Sequence, residues 1–78
     1  MIIKKVKIDL EDIDLIENFI KEMNSFRSDI DARAGSVCVD AKSFLAIVAL
    51  NKPEFDVSIV SSDPDEIRRF EEVMEKYK

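Results

Sequence analysis

The sequence predicts a small α+β domain with its elements in the order β-α-β-β-α-β-α. Apolar and polar residues alternate over short segments, which is typical of strands, and elsewhere apolar residues recur at the three- and four-residue spacing of helices. The length of 78 residues leaves room for one domain, residues 1–78, and a composition of 46% apolar and 37% charged residues is that of a folded protein. So few strands favour a single sheet with helices stacked on one face.

The beginning of the chain predicts a half-buried strand followed by an amphipathic helix. Val6, Ile8 and Leu10 alternate with charged residues, as expected for a strand with one buried face. Asp12 or Asp14 is placed to cap the helix, because a side-chain oxygen there accepts a hydrogen bond from a free N–H group of the first turn. The apolar residues at helical spacing are Ile13, Ile16, Phe19, Ile20 and Met23.

A β-hairpin is predicted next, with its turn at Gly35, the only glycine of the chain. Glycine has no Cβ and therefore adopts the positive φ that tight hairpin turns need. Cys38 lies beyond the turn between two valines, and we expect it to be an inert thiol that is buried or half-buried. The alternating apolar residues of the hairpin are Ile30, Ala32, Ala34, Val37 and Val39.

A short helix, a strand and a final helix complete the predicted domain. The helix over Phe44–Leu50 begins after Ser43, a suitable N-cap, and ends at Asn51, which tolerates the left-handed conformation. The strand is indicated by alternation around Phe55, Val57 and Ile59. The final helix begins at Pro64, a residue favoured in the first helical position, and carries an apolar stripe of Ile67, Phe70, Val73, Met74 and Tyr77.

The counts of ionisable residues exclude several classes of function. A net charge of −5 provides no electrostatic attraction to nucleic acid or anionic lipid, so we expect neither as a partner. The chain has no His and one Cys, which removes the common zinc ligand sets, internal disulfides and His-dependent catalysis, and we expect no metal and no cofactor. No apolar run is long enough to span a bilayer and no signal peptide is visible, which predicts a cytoplasmic protein.

The order of elements and two short segments resemble the HPr family, the phosphocarrier of the bacterial sugar phosphotransferase system. Residues 40–45 (DAKSFL) resemble the family's S-A-K-S-[LI]-[FM] segment, which opens its second helix, and residues 19–22 (FIKE) resemble F-V-K-E in its first helix. The resemblance implies an open-faced β-sandwich, in which three helices cover one face of a four-stranded antiparallel sheet.

The chain departs from the family at the active loop, which in the family reads roughly G-L-H-x-R-P-A. Residues 9–16 (DLEDIDLI) occupy this region without His, Arg or Pro. A phosphoryl group here would be repelled by the carboxylates of Asp9, Glu11, Asp12 and Asp14, so phosphocarrier activity of the usual kind is not expected. The chain resembles the family variant called Crh, which lacks the catalytic His, keeps a regulatory Ser and acts only in regulation.

Ser43 is the candidate regulatory residue. In many Gram-positive members of the family an ATP-dependent kinase phosphorylates the matching Ser, and the free N–H groups of a helix N-terminus favour a phosphate there. Lys42 is adjacent and able to pair with the phosphate, whereas Asp40 would oppose it. The alternative is that Ser43 serves only as a helix cap.

The helix over Phe44–Leu50 is apolar nearly all round, so part of its surface must remain exposed and available to a partner. In the family, the residues matching Phe44 and Leu45 dock protein partners, and Val48 lies one turn further on. Together with Lys42, these are the predicted partner-binding residues. The alternative is that Ile47 and Leu50 belong to the core and the other apolar residues are scattered surface positions.

The residues and the resemblance together predict a regulatory or adaptor protein that is not an enzyme. Its expected partner is a protein of the phosphotransferase system or a transcriptional regulator, and the chain itself is expected to be a monomer or a weak or strand-swapped dimer. A ligand-binding or enzymatic domain that uses the acidic start of the first helix is an alternative, which predicts a concave pocket there. A phosphocarrier that forms an aspartyl phosphate on Asp12 or Asp14 is another.

Overall fold

Four strands and three helices form two layers, in the order that the sequence predicts. The computed structural model describes residues 2–78. The strands are β1 (Ile2–Lys7), β2 (Asp29–Ala34), β3 (Val37–Asp40) and β4 (Glu54–Val60). The helices are α1 (Ile13–Asn24), α2 (Phe44–Leu50) and α3 (Pro64–Met74), and α3 continues into a 3₁₀ turn (Glu75–Tyr77). Within these described residues, each helix is too short or too polar to cross a membrane.

The four strands pair antiparallel in the order β1-β4-β2-β3. β4 is central, since its Phe55 pairs with Val6 of β1 and its Val57 pairs with Ala32 of β2. These four side chains are buried on the face that the helices cover. Alternate residues of the same strands point to the opposite face, which we call the outer face. β1 and β3 are therefore the edge strands of an open-faced sheet, as the resemblance implies.

The core centres on Phe19 of α1, whose side chain is fully buried. Its ring packs edge-to-face on Phe55 of β4 and on Tyr77 beyond α3, with centroid distances of 5.9 and 5.1 Å. Phe70 of α3 makes the same kind of contact with Phe26, at 5.9 Å. This edge-to-face geometry is the one that aromatic quadrupoles favour. Aromatic contacts therefore join α1, α3 and the sheet.

The predicted caps and turns are confirmed. The N–H of Leu15 donates to the carboxylate of Asp12 (3.0 Å), so Asp12 rather than Asp14 caps α1. Asn51 ends α2 in the left-handed conformation, with φ 53° and ψ 42°. Gly35 turns the β2–β3 hairpin with φ 61°. Each of these features depends on a few neighbouring residues, which is why the sequence indicates them.

Two side chains are more exposed than the sequence predicts. Cys38 is exposed, so the prediction of a buried or half-buried thiol is wrong. The reason is that β3 is an edge strand and Cys38, which pairs with Arg33, points to the outer face. Ile13 is 51% exposed although it fits the apolar spacing of α1, because it lies in the first turn beside the exposed Asp12 and Asp14.

Candidate functional site

The N-terminus of α2 is built around Ser43. Its backbone is extended (φ −100°, ψ 116°), and its hydroxyl oxygen accepts a hydrogen bond from the N–H of Ala46 (3.2 Å). Just before it, the carboxylate of Asp40 accepts the N–H of Lys42 (2.9 Å) and closes a turn. The Ser43 side chain is half-buried and therefore remains in contact with solvent. The structure confirms the cap and places the Asp40 carboxylate within the same turn.

Lys42 joins the start of α2 to the end of α1. Its ammonium donates to the carbonyl of Phe26 (2.8 Å), and its own carbonyl accepts the side-chain amide of Asn24 (3.0 Å). That amide also donates to the carbonyl of Ile20, in the last turn of α1 (2.9 Å). The ammonium of Lys42 thus provides a partner for a backbone carbonyl in the segment that follows α1. The positive charge expected to pair with a phosphate on Ser43 is thus already engaged.

The apolar residues of α2 divide into two groups. Ile47 and Leu50 are buried in the core, as the structural alternative predicts. Leu45 is 77% exposed and Val48 is 42% exposed, and residues three apart are neighbours on a helix surface. Phe44 is partly buried and packs against the core. We call Phe44, Leu45 and Val48 the α2 patch. It offers an apolar contact surface on a helix that the core holds in place.

The acidic residues before and within the first turn of α1 lie around a shallow depression that is open to solvent. The carboxylate of Asp9 accepts the N–H of Glu11 (3.0 Å), and Asp12 caps the helix. Both carboxylates therefore serve local structure. Within residues 2–78 no group of His, Cys, Asp and Glu side chains is arranged to hold a metal ion. The enzymatic alternative predicts a concave pocket here, whereas the depression around these residues is shallow and open to solvent.

The acidic start of α1 and Ser43 lie at opposite ends of α1. Asp12 precedes the first residue of this helix, whereas Lys42 and Ser43 adjoin its last residue, Asn24. A helix of 12 residues is about 18 Å long. The structure therefore places Asp12 at one end of α1 and Lys42 and Ser43 at the other.

Glu66 is a charged residue that the sequence pattern did not single out. Although it is only 7% exposed, its carboxylate accepts the N–H groups of Arg27 (2.8 Å) and Ser28 (3.3 Å) and the hydroxyl of Ser28. The Ser28 hydroxyl, followed by the Arg27 N–H, lowers the pKa of Glu66. The one sequence signal is spacing, since Glu66 lies one turn before Phe70 on the buried stripe of α3.

Arg69 and Tyr77 complete the contact between α1 and α3. The guanidinium of Arg69 lies 4.0 Å from the centroid of the Phe26 ring and donates to the carbonyl and hydroxyl oxygens of Ser25 (3.0 Å each). The hydroxyl of Tyr77 donates to the carboxylate of Glu22 (2.8 Å), and burial together with this contact raises the pKa of Tyr77. These groups stabilise the helical layer and have no feature of a reaction centre.

Two solved structures share this architecture along nearly the whole chain. The phosphocarrier protein HPr from Bacillus anthracis str. Ames superimposes with a TM-score of 0.76 at 22% sequence identity, covering 99% of this chain and 96% of that one. This chain has the HPr fold. HPr-C-His from Thermoanaerobacter tengcongensis superimposes with a TM-score of 0.74 at 18% identity, covering 97% and 93% of the two chains.

No protein-family model matches the sequence, and no curated protein is significantly similar to it. At the identities of the two HPr structures, the similarity establishes the fold and not the activity. The HPr-like architecture implied by residues 19–22 and 40–45 is thus confirmed. The candidate site on the HPr fold is the surface formed by Lys42, Ser43 and the α2 patch.

Proposed function

We propose that this chain is a regulatory or adaptor protein related to the sugar phosphotransferase system, and that it binds a protein partner through the α2 patch. The observation that carries the proposal is the exposure of Leu45 (77%) and Val48 (42%) on a helix whose Ile47 and Leu50 are buried. Large apolar side chains held on a rigid helix are typical anchors of protein interfaces. Because the chain has the HPr fold, the proposed partner is a protein of that system or a transcriptional regulator.

A non-catalytic role is supported by the groups at the start of α1. The chain has no His, and the exposed carboxylates of Asp9, Glu11, Asp12 and Asp14 occupy the region where the family carries its phosphoryl group. A phosphoryl group carries about two negative charges, and each like-charged neighbour at ~4 Å raises its energy by about 1 kcal/mol even in water. We therefore propose that the chain is not an enzyme and does not carry phosphoryl groups, and that it acts in the cytoplasm.

The proposal extends to phosphorylation of Ser43 as a switch. Its hydroxyl is half-buried and lies at the start of the helix that carries the α2 patch. A phosphate there would compete for the ammonium of Lys42, which now donates to the carbonyl of Phe26 (2.8 Å). Moving Lys42 would release one contact between α1 and α2 and place new charge next to Phe44 and Leu45. Phosphorylation would thus change the surface that the partner binds.

The test of the binding surface is a pair of matched substitutions. Leu45→Asp and Ile13→Asp each place a carboxylate at an exposed apolar residue in the first turns of a helix, but only Leu45 belongs to the α2 patch. The probes are purified enzyme I, HPr kinase and a transcriptional regulator that binds HPr, each measured by calorimetry. The proposal expects binding to at least one probe, loss of that binding in Leu45→Asp and retention in Ile13→Asp. Equal loss in both variants, or no binding to any probe, contradicts it.

The switch is tested by intact mass after incubation with HPr kinase and ATP, with enzyme I and phosphoenolpyruvate in a parallel sample. The proposal expects one added phosphate from the kinase, which is absent in Ser43→Ala. Phosphate transferred from enzyme I would instead support the alternative of a phosphocarrier that uses Asp12 or Asp14. No phosphate in either sample would reduce Ser43 to a helix cap and leave the binding surface as the remaining part of the proposal.

A further inference from the structure

The outer face of the sheet is covered by no part of the chain within residues 2–78 and carries an ordered pattern of charge. The side chains on it are Ile3, Lys5 and Lys7 of β1; Glu54, Asp56, Ser58 and Val60 of β4; Asp29, Asp31 and Arg33 of β2; and Cys38 and Asp40 of β3. Lysine is the charged residue of β1, whereas acids predominate on the other three strands. One edge of the face is therefore positive and the remainder is mainly negative.

The central charges of this face lie opposite one another on adjacent strands but form no ion pairs within residues 2–78. Lys5, Asp56 and Arg33 occupy directly paired positions on adjacent strands. Among residues 2–78, however, none of the three forms an ion pair within 4.0 Å or a side-chain hydrogen bond. The ion pair that this face does contain is Lys7–Glu54, at 3.5 Å. The central charges are therefore available to a partner.

Two further features concern the acidic residues of this face. Asp31 of β2 and Asp40 of β3 are directly paired across the strands, and like charges in that position destabilise a sheet. Asp31 and Asp56 also line a depression of about 190 Å³, together with Ile3, Arg33 and Ser58. A partner group that donates a hydrogen bond to Asp31 would stabilise its carboxylate.

We propose that the outer face binds the outer face of a second copy of this chain, around a two-fold axis parallel to the strands. Such an axis, placed between two stacked sheets, brings β1 over β3 and β4 over β2 of the second copy. A rotation about an axis along the strands keeps the position of each residue along the strand direction. Take a residue of β4 that pairs with a residue of β2 within one copy. In the dimer, this β4 residue of one copy therefore faces the same β2 residue of the second copy.

The contacts that this rotation creates are complementary. Asp56 and Arg33 pair directly in one sheet, so Asp56 of one copy faces Arg33 of the second copy, and the symmetry repeats the contact. In the adjacent row, Ser58 faces Asp31 of the second copy, and a hydroxyl donates well to a carboxylate. At the edges of the face, Lys5 lies over Cys38 of the second copy and Ile3 lies over Asp40. The charge complementarity of the dimer is therefore carried by the two symmetry-related contacts between Asp56 and Arg33.

The size of the face makes this a weak dimer. Four strands spaced about 4.8 Å apart, with about five residues each at about 3.3 Å, cover about 300 Å² on each copy. Stable interfaces bury about 1,200–2,000 Å² in total, and smaller ones are transient. The net charge of −5 on each copy opposes association further at low ionic strength. This contact is independent of the α2 patch, because it uses the opposite face of the sheet.

The test is a reciprocal charge reversal, measured by sedimentation equilibrium under reducing conditions, so that Cys38 does not form disulfides. The wild-type chain is expected to dimerise reversibly with concentration. Arg33→Asp alone and Asp56→Arg alone are each expected to weaken association about tenfold or more, because each creates two repulsive contacts in the dimer. An equimolar mixture of the two variants is expected to dimerise again, since each Asp then faces an Arg.

The matched control is Glu72→Arg, which makes the same change of charge on an exposed residue of α3, away from the outer face. Circular dichroism and thermal unfolding of each variant show that it is folded. The proposal is overturned if the wild type remains monomeric at the highest attainable concentration, or if the mixture fails to associate. It is also overturned if Glu72→Arg weakens association as much as Asp56→Arg does, because the loss would then not depend on a residue of the outer face.

Discussion

The helical layer and the outer face contain the same kinds of charged residues but use them differently. Between α1 and α3, Glu66 accepts three hydrogen bonds, and Glu22 accepts from both Lys76 (3.1 Å) and Tyr77 (2.8 Å). On the outer face, Lys5 and Asp56 are directly opposite and unpaired within residues 2–78. Charge within the helical layer therefore holds the fold together, whereas the central charges of the outer face are free for contacts with other molecules.

This difference has a physical cause. Backbone N–H and C=O groups in the connections between elements have no partner in a helix or a sheet, so side chains have to provide one. Glu66 and Lys42 do so for the segment that follows α1, at Arg27, Ser28 and Phe26. The backbone of a sheet is satisfied by its own ladder, so side chains on the outer face have no such structural task. The following predictions test this contrast, from the largest expected effect to the smallest.

Phe19→Ala is expected to destabilise the protein most. Phe19 is fully buried and contacts the rings of Phe55 and Tyr77. Removal of a buried aromatic ring costs about 3–5 kcal/mol of unfolding free energy, because contacts are lost and a cavity remains. The matched change on the outer face, Ile3→Ala, is expected to cost about 0.5 kcal/mol or less. Urea unfolding measures both, and equal losses would contradict the contrast between the layers.

Glu66→Gln is expected to destabilise the protein in a manner that depends on pH. The pKa of Glu66 is lowered in the folded protein, so ionised Glu66 contributes its full stabilisation above its ordinary pKa of 4.5. That contribution is lost as the pH falls below 4.5, through the lowered pKa. The wild type should therefore exceed Glu66→Gln in unfolding free energy at pH 7, and the difference should shrink as the solution becomes acidic.

The control for Glu66→Gln is Glu72→Gln, on an exposed residue of the same helix. Its unfolding free energy should follow the wild type at every pH. If the two variants behave alike, the bonds from Arg27 and Ser28 to Glu66 do not stabilise the fold.

Tyr77→Phe is expected to change stability at alkaline pH. Burial raises the pKa of Tyr77, so the neutral phenol contributes its full stabilisation below its ordinary pKa of 10.0. This stabilisation is lost as the pH rises above 10.0, a loss that Tyr77→Phe should not show. Tyr77 is the only tyrosine, so ultraviolet absorbance of the phenolate reports its ionisation directly. An ordinary midpoint near 10.0 would show that the phenol is not held against Glu22.

Ser43→Ala is expected to have the smallest of these effects. Loss of the cap to Ala46 costs about 1 kcal/mol of unfolding free energy. Ser43→Asp should remain close to the wild type, because an aspartate caps equally well. The two variants separate the structural role of Ser43 from its proposed role as a phosphorylation site. If Ser43→Asp is as unstable as Ser43→Ala, an anion at this position conflicts with Asp40.

Much of the fold follows from local signals in the sequence. Asp12, Gly35, Ser43 and Asn51 mark ends of helices and a turn, and each has the predicted conformation. Such signals can be read directly because a cap or turn involves residues within a few positions of one another. The sequence also predicts that α2 carries more apolar residues than its contacts with the core can bury. The sequence analysis expects Phe44, Leu45 and Val48 at its surface, and the structure exposes Leu45 and Val48 but leaves Phe44 partly buried.

The sequence by itself determined the order of elements, their caps and turns, and the absence of His from the chain. Only the tertiary structure decided that β3 is an edge strand, which exposes Cys38, and that Lys42 is bound to the carbonyl of Phe26. It also decided that Glu66 meets Arg27 and Ser28, which lie 39 and 38 residues away in the chain. These outcomes depend on strand order and helix packing, which bring distant residues together and which local spacing does not specify.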